Sequence, residues 1–137
     1  MIRTLTNGEM AHAAFRHLLW LAVEVDDSRL DKIAREILPK LTVQGVLEHE
    51  RIVAFVAFDA DADPVVIEYI AVDERAQGRG LGTALVEAVR DRAGGRAVYA
   101  QTDDDAVDFY RRIGFAINHR EPDRRWPERQ RYDCLLA

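Results

Sequence analysis

Cysteine is nearly absent. Cys134 stands alone among 137 residues, so no disulfide can form within the chain, and a cytoplasmic setting is expected. No apolar run approaches the ~20 residues a membrane span needs. The opening MIRTLTNGEM lacks the basic-then-apolar build of a secretory signal, so neither membrane nor export is expected. Internal repeats, linkers and low-complexity tracts are also missing. Metal ligation has little to stand on: His12 and His17 are spaced poorly for one helix face, and no other ligand spacing accompanies them. Positive charge is in deficit as well. A formal net charge of −5 argues against nucleic acid as the main partner, since phosphate binding needs a basic face. The same charge suits a cationic substrate such as an amine.

What is present suits one domain over residues 1–137, long enough for a real core. Residues 1–5 read as a short edge strand, with Asn7 capping a helix over residues 9–25. Asp26, Asp27 and Ser28 break that helix, and a second runs over residues 29–38 until Pro39 ends it. Strands over 42–48 and 52–58 flank a turn at His49-Glu50-Arg51, and another strand covers 65–72. A helix over 80–93 stops at Gly94-Gly95. A short strand at 97–101 precedes a helix over 103–112, which Thr102 or Asp103 caps. Residues 115–118 and 131–136 read as a closing hairpin, with Cys134 in the core rather than acting as a nucleophile. Helices lie between strands, yet hairpins occur at both ends, so the sheet should be mixed.

The most informative stretch follows Val72. Gln77-Gly78-Arg79-Gly80-Leu81-Gly82 puts three glycines, one basic side chain and a helix start together. Glycine allows positive φ and close approach of a ligand. Free amides at a helix start attract phosphate oxygens. A Walker loop would need a Lys-Ser/Thr pair, and none closes the run. A dinucleotide fingerprint would need its third glycine at Thr83, and Gly82 comes one residue too early. A tight turn that binds nothing remains the plain alternative. The pattern Gln-x-x-Gly-x-Gly after an apolar strand resembles the pyrophosphate-binding signature of the GNAT acetyltransferase superfamily.

A second segment strengthens the resemblance. Ala106, the Phe109-Tyr110 pair and Gly114-Phe115 are spaced as in the GNAT segment where a short helix leads into the next strand. The likeness is close over residues 42–118. It implies an α/β (α+β) fold with a mixed, mostly antiparallel sheet of about six to seven strands and about four helices. It also implies acetyl-CoA as cosubstrate, no metal, and acetyl transfer to a primary amine by direct attack in a ternary complex. Two positions depart from the family: Asp103 stands where Asn is common, and Glu74 where Pro is common, which should affect only the turn.

On that resemblance, the backbone from Gln77 through Gly78, Arg79, Gly80, Leu81 and Gly82 to Thr83 holds the diphosphate, with Arg79 as an added charge. Backbone at Ile70, Ala71 and Val72 meets the pantetheine arm, which enters where this strand splays from the one at 98–101. Asp103 is a further contact. Tyr110 matches the family's general acid, a phenol that returns a proton to the leaving thiolate; its alternative is packing under the sheet. Glu68 is the candidate base, because it interrupts VVIEYIAV and a buried carboxylate is costly unless paired or used. Its alternative is an ion pair or a place in solvent.

In the family the first two helices and the final hairpin border the acceptor site, so the resemblance places it between Trp20, Glu24, Asp26 and Asp27 on one side and Trp126 with Tyr132 on the other. A solvated turn is the competing account of the acids. Arg120, Arg124, Arg125, Arg129 and Arg131, offset by Glu121, Asp123 and Glu128, read as a mixed loop. A homodimer is compatible with the hairpin end. The alternative function is a non-catalytic acyl-CoA sensor or an interaction module on the same scaffold. The sequence leaves the acceptor amine unnamed.

Overall fold

The computed structural model describes residues 2–122, 124 and 127–137. The chain opens with β1 (Ile2–Thr4), α1 (Asn7–Met10), α2 (Ala13–Val23) and α3 (Asp27–Lys32), followed by one π turn (Ile33–Ile37) and one 3-10 turn (Leu38–Lys40). Then come β2 (Thr42–Glu48), β3 (Arg51–Asp59), β4 (Val65–Val72), a 3-10 turn (Glu74–Ala76) and α4 (Leu81–Ala93). The chain ends with β5 (Val98–Asp103), α5 (Val107–Arg112), β6 (Ala116–Arg120) and β7 (Arg131–Leu136). The seven strands form one open sheet in the order β1-β2-β3-β4-β5-β7-β6. Among the described residues only β4 and β5 run parallel. This is the mixed, mostly antiparallel sheet that the resemblance implies, with one strand pair setting it apart from a plain antiparallel sheet.

Local chemistry explains where element ends differ from the sequence expectation. Thr6, not Asn7, caps the first helix. Its hydroxyl accepts from Glu9 N at 3.2 Å while Glu9 Oε1 accepts from Thr6 N at 2.9 Å, a reciprocal capping box. The single helix expected over 9–25 is two, because His12 Nδ1 accepts from Ala14 N at 3.2 Å and starts α2 afresh. Asp26 caps α3 as expected, accepting from Arg29 N at 2.9 Å. Pro39 does not end the next segment. It sits in the first turn of the 3-10 element, where its missing N–H costs nothing. Neither Thr102 nor Asp103 caps α5: both belong to β5, and the Asp103 carboxylate accepts from Asp105 N at 3.0 Å in a turn ahead of the helix. The hairpin between β2 and β3 is tighter than expected. Only His49 and Glu50 form its loop, both at positive φ (50° and 64°), with Arg51 already paired to Glu48.

Two cores lie on opposite faces of the sheet. On one, α4 and α5 cover Val56, Phe58, Val65, Ile67 and Val98. On the other, α2 and α3 cover Val43, Ile52, Phe55 and Ala57. β3 is covered on both faces, which is why RIVAFVAFD reads as a continuous apolar run instead of alternating. β4 contains a bulge. Tyr69 pairs with Ala57 but Ile67 with Phe58, so Glu68 is the extra residue with no partner on β3. The bulge resets the alternation: Val65 and Ile67 face α4 before it, Ile70 and Val72 after it.

Phe55 is fully buried and meets Phe15 of α2 with ring centroids 4.9 Å apart. Phe55→Ala should therefore cost about 3–5 kcal/mol of stability, read as a lower urea midpoint with an unchanged slope. A loss below about 1 kcal/mol would mean this contact does not anchor α2.

Candidate active site

β4 and β5 are paired at only three positions, Val65 with Val98, Val66 with Tyr99 and Ile67 with Ala100. Beyond them β4 stays with β3 as far as Val72, and β5 stays with β7 as far as Asp103. The two strands part at Glu68, the bulged residue, and a gap opens between them. The backbone of β4 is directed into it. Asp73 N donates to Val53 O at 2.8 Å, so by the antiparallel alternation Ile70 and Val72 turn their N–H and C=O away from β3. Ile70 and Val72 thus present to the opening backbone that β3 does not bond, with Val72 O taken by Gln77 Nε2. A cleft of about 690 Å3 continues from this gap between the glycine loop and α5.

The loop is held at both ends. Asp73, 5% exposed, accepts from Arg75 N at 2.9 Å and lies 3.8 Å from Arg51. The Arg75 amide, then the Arg75 and Arg51 guanidinia, hold its carboxyl below the usual range. Gln77 Nε2 donates to Val72 O at 3.2 Å, folding the loop back on the end of β4. Gly78 and Gly80 take φ of 81° and 77°, and a Cβ at either would project into open space. Gly80 precedes α4 without any side-chain cap, and the first helical bond is Ala84 N to Gly80 O at 3.0 Å. The amides of Leu81, Gly82 and Thr83 therefore have no acceptor among the described residues, and all three residues line the cleft. Gly82 serves packing: a Cβ there would come within 3.0 Å of the Phe109 ring.

Arg79 lies elsewhere. Its guanidinium pairs with Glu48 at 2.8 Å, on the hairpin side of the loop, and it does not line the cleft. Asp103 does not line it either; Asp105 and Ala106 do. The wall from α5 was only half read from the sequence. Ala106, Phe109 and Ile113 reach the cleft together with Tyr110 and Arg112. Their spacing of three, four and seven residues is the signal that could have found them. Tyr110 is 4% exposed and wedged edge-on between Phe109 and Phe115, each at 5.1 Å. Its hydroxyl has no hydrogen-bond partner among the described residues. Burial pushes its pKa well up, with Cys134 adding to the rise. The Cys134 thiol is itself pushed up to about 11 by burial first and then by Asp133, which suits a packed, unreactive group.

Glu68 is not among core positions, as the apolar run suggested. The bulge sets it on the exposed side of the parting strands, outside the lining of the cleft. Partial desolvation, then the Asp59 charge, still raises its carboxyl above the usual range. Around the expected acceptor site, Trp20 is 42% exposed and stacks on His17. Asp26 is engaged as a cap, Asp27 pairs with Arg16 at 3.1 Å, and Glu24 takes a left-handed turn. Tyr132 is buried with its hydroxyl donating to Asp104 at 2.5 Å. Trp126, Asp123 and Arg125 lie outside the described residues. Glu74 does more than shape a turn: it bonds His17 at 2.8 Å and ties α2 to the start of the loop. His17, Asp73 and Glu74 gather ligand atoms within 4.8 Å, but Arg75 and Arg51 already face the Asp73 carboxylate.

The sequence model of the acetyltransferase (GNAT) family matches residues 10–115. The chain belongs to this family. Its GNAT fold is shared with the ribosomal-protein-S18-alanine N-acetyltransferase of Escherichia coli, at 20% identity over 99% of this chain and 92% of that one, with a TM-score of 0.75. A GNAT acetyltransferase of Elizabethkingia anophelis with acetyl-CoA bound matches at 20% identity over 99% and 95%, with a TM-score of 0.72. An acetyl coenzyme A complex from Bacillus anthracis matches at 21% identity and a TM-score of 0.64, over 72% of this chain and 63% of that one. The chain thus spans less than two thirds of that last relative. No curated protein matches the chain. By family it is an acyltransferase.

Gly80→Val should abolish coenzyme A binding. A branched side chain is strained at φ 77° and its Cβ would project from the loop where the amides are free. Calorimetric titration checks this, and unchanged affinity in a folded variant would remove the loop from the site.

Proposed function

We propose that the chain transfers an acetyl group from acetyl-CoA to a primary amine, by direct attack within a ternary complex. The observation that carries this reading is the parting of β4 from β5 after Ile67, with the free N-terminus of α4 at one end of the gap and Tyr110 in its wall. The loop amides and the α4 dipole would take the diphosphate. The pantetheine arm would continue the sheet by bonding the Ile70 backbone and the Val72 N–H, Val72 O being held by Gln77 Nε2, in place of the pairing that β5 gives up. A backbone N–H of β4 would then polarise the thioester carbonyl.

In the reaction, the amine nitrogen forms a bond to the carbonyl carbon and the C–S bond breaks. Its electron pair leaves on sulfur. The ammonium proton leaves through Glu68, directly or by way of water. Partial desolvation makes Glu68 a stronger base than an ordinary carboxylate. Tyr110 stays protonated at any physiological pH, because burial opposes the phenolate. Its hydroxyl would pass its proton to the departing sulfur, which leaves as a thiol with pKa near ~8.5, and would take in exchange the second proton that the nitrogen loses as the amide forms, so that the phenol ends neutral. Arg79 would have to exchange Glu48 for a phosphate to take part, whereas Arg112 already stands at the cleft.

Calorimetric titration with acetyl-CoA tests the reading first, one micromolar site per chain being expected. Tyr110→Phe should then lower kcat about tenfold or more with coenzyme A affinity unchanged; full turnover would remove Tyr110 as the acid. Glu68→Gln should lower kcat/KM and abolish the acidic limb of its pH profile. That limb should lie above the ordinary glutamate range, since activity needs the ionised form and the pKa is raised. A limb that persists in the variant would assign the base elsewhere.

A further inference from the structure

The chain has 4 tyrosines. The hydroxyls of two are engaged: Tyr99 donates to Asp133 and Tyr132 to Asp104. Tyr110 is the proposed acid. The fourth, Tyr69, stands outside the cleft lining, and its ring packs with the α2 core. Its hydroxyl bonds no described residue. It is not sealed in either, since the one sealed side-chain polar atom without a partner among the described residues is Gln44 Oε1. The half-buried ring therefore ends in a hydroxyl open to solvent.

The bulge decides where that hydroxyl stands. Pairing of β4 with β5 ends at Ile67, so Glu68 and Tyr69 are the first two residues past the fork. Strict alternation would put them on opposite faces. Val65 and Ile67 face α4, as do Ile70 and Val72. The extra residue leaves Glu68 and Tyr69 side by side on the other face. Nearby charges agree with this placing. Glu68 feels Asp59, whose strand partner Val66 belongs to that face by alternation. Burial first, and then the Glu68 charge, raises the Tyr69 phenol above its ordinary value, with Arg29 acting the other way. The phenol stays neutral at physiological pH and keeps an oxygen that can accept a hydrogen bond. Glu68 has no cationic partner among the described residues, so an ammonium group beside it would meet no competitor.

We propose that Tyr69 positions the acceptor: its hydroxyl oxygen accepts a hydrogen bond from the amine that Glu68 deprotonates. The inference rests on the acetyl-transfer reading and adds a second group to the acceptor side. An ammonium carries three N–H bonds. Glu68 takes one proton, directly or through water, and leaves an amine with two N–H bonds and a lone pair. Free in solution that amine turns. With one N–H held at Tyr69, the lone pair keeps its aim at the thioester carbonyl in the gap. The second N–H supplies the proton lost as the amide forms, and the N–H held at Tyr69 is the one the amide retains. Tyr69 itself gains and loses no proton.

The two groups touch only the nitrogen, so ethylamine at high concentration serves as the acceptor probe. The test is coenzyme A thiol release with acetyl-CoA saturating. Tyr69→Phe should lower kcat/KM for ethylamine about tenfold or more, with kcat falling too. The ring stays in the α2 core, so the urea midpoint and coenzyme A affinity should not move. The acidic limb of the pH profile should persist, because Glu68 is still present. Full turnover in Tyr69→Phe would overturn the inference and leave acetyl transfer standing. So would a loss confined to KM, which would make the hydroxyl a binding group and not an orienting one. Disappearance of the limb would also overturn it, by showing that the phenol itself titrates. No turnover of ethylamine by enzyme that binds acetyl-CoA would overturn recognition through the nitrogen alone. Absence of acetyl-CoA binding would overturn the acetyl-transfer reading as well.

Discussion

The site depends on β4 and β5 being parallel for three residue pairs and then separating. Parallel strands side by side normally exhaust each other's backbone groups. Here each continues with only one neighbour, and the unpaired edge of β4 faces an opening instead of a strand. Unpaired amides and carbonyls away from water are costly, so the opening is the place where another chain of polar atoms gains most by entering. The bulge at Glu68 stands at the fork itself. By adding one residue to β4 it lets the strand stay in register with β3 while it leaves β5.

Everything else in the site is arranged around that fork. The Asp73 turn and the Gln77 bond to Val72 bring the glycine loop back to the end of β4. Gly82 allows α4 to lie close to Phe109 of α5, so the two helices form opposing walls of one cleft. The His17–Glu74 bond fixes α2 to the same junction from the other face.

Local elements were largely legible because their causes are local. The β4 run, the loop and the start of α4 follow from an apolar stretch, glycines at positive φ and a helix pattern. Boundaries shifted where a side chain competed for a backbone group: Thr6 with Glu9 in place of Asn7, and His12 dividing one expected helix into two. Glu68 was misplaced for a different reason. An apolar run interrupted by a carboxylate looks like a buried charge. Only the pairing with β3 reveals that a bulge turns that residue outward. Arg79 looked like a phosphate ligand because it lies between two glycines, yet its partner is Glu48, 31 residues earlier in the chain.

By itself the sequence determined the motif spacing, the family and the glycine turn ahead of α4, because these depend on backbone permissiveness and residues close along the chain. The tertiary structure decided which side chains share the cleft, where Glu68 points, and that Arg79 turns to Glu48 instead of the cleft. Those outcomes depend on register between strands far apart in sequence, and one inserted residue in β4 is enough to reverse which face a side chain meets.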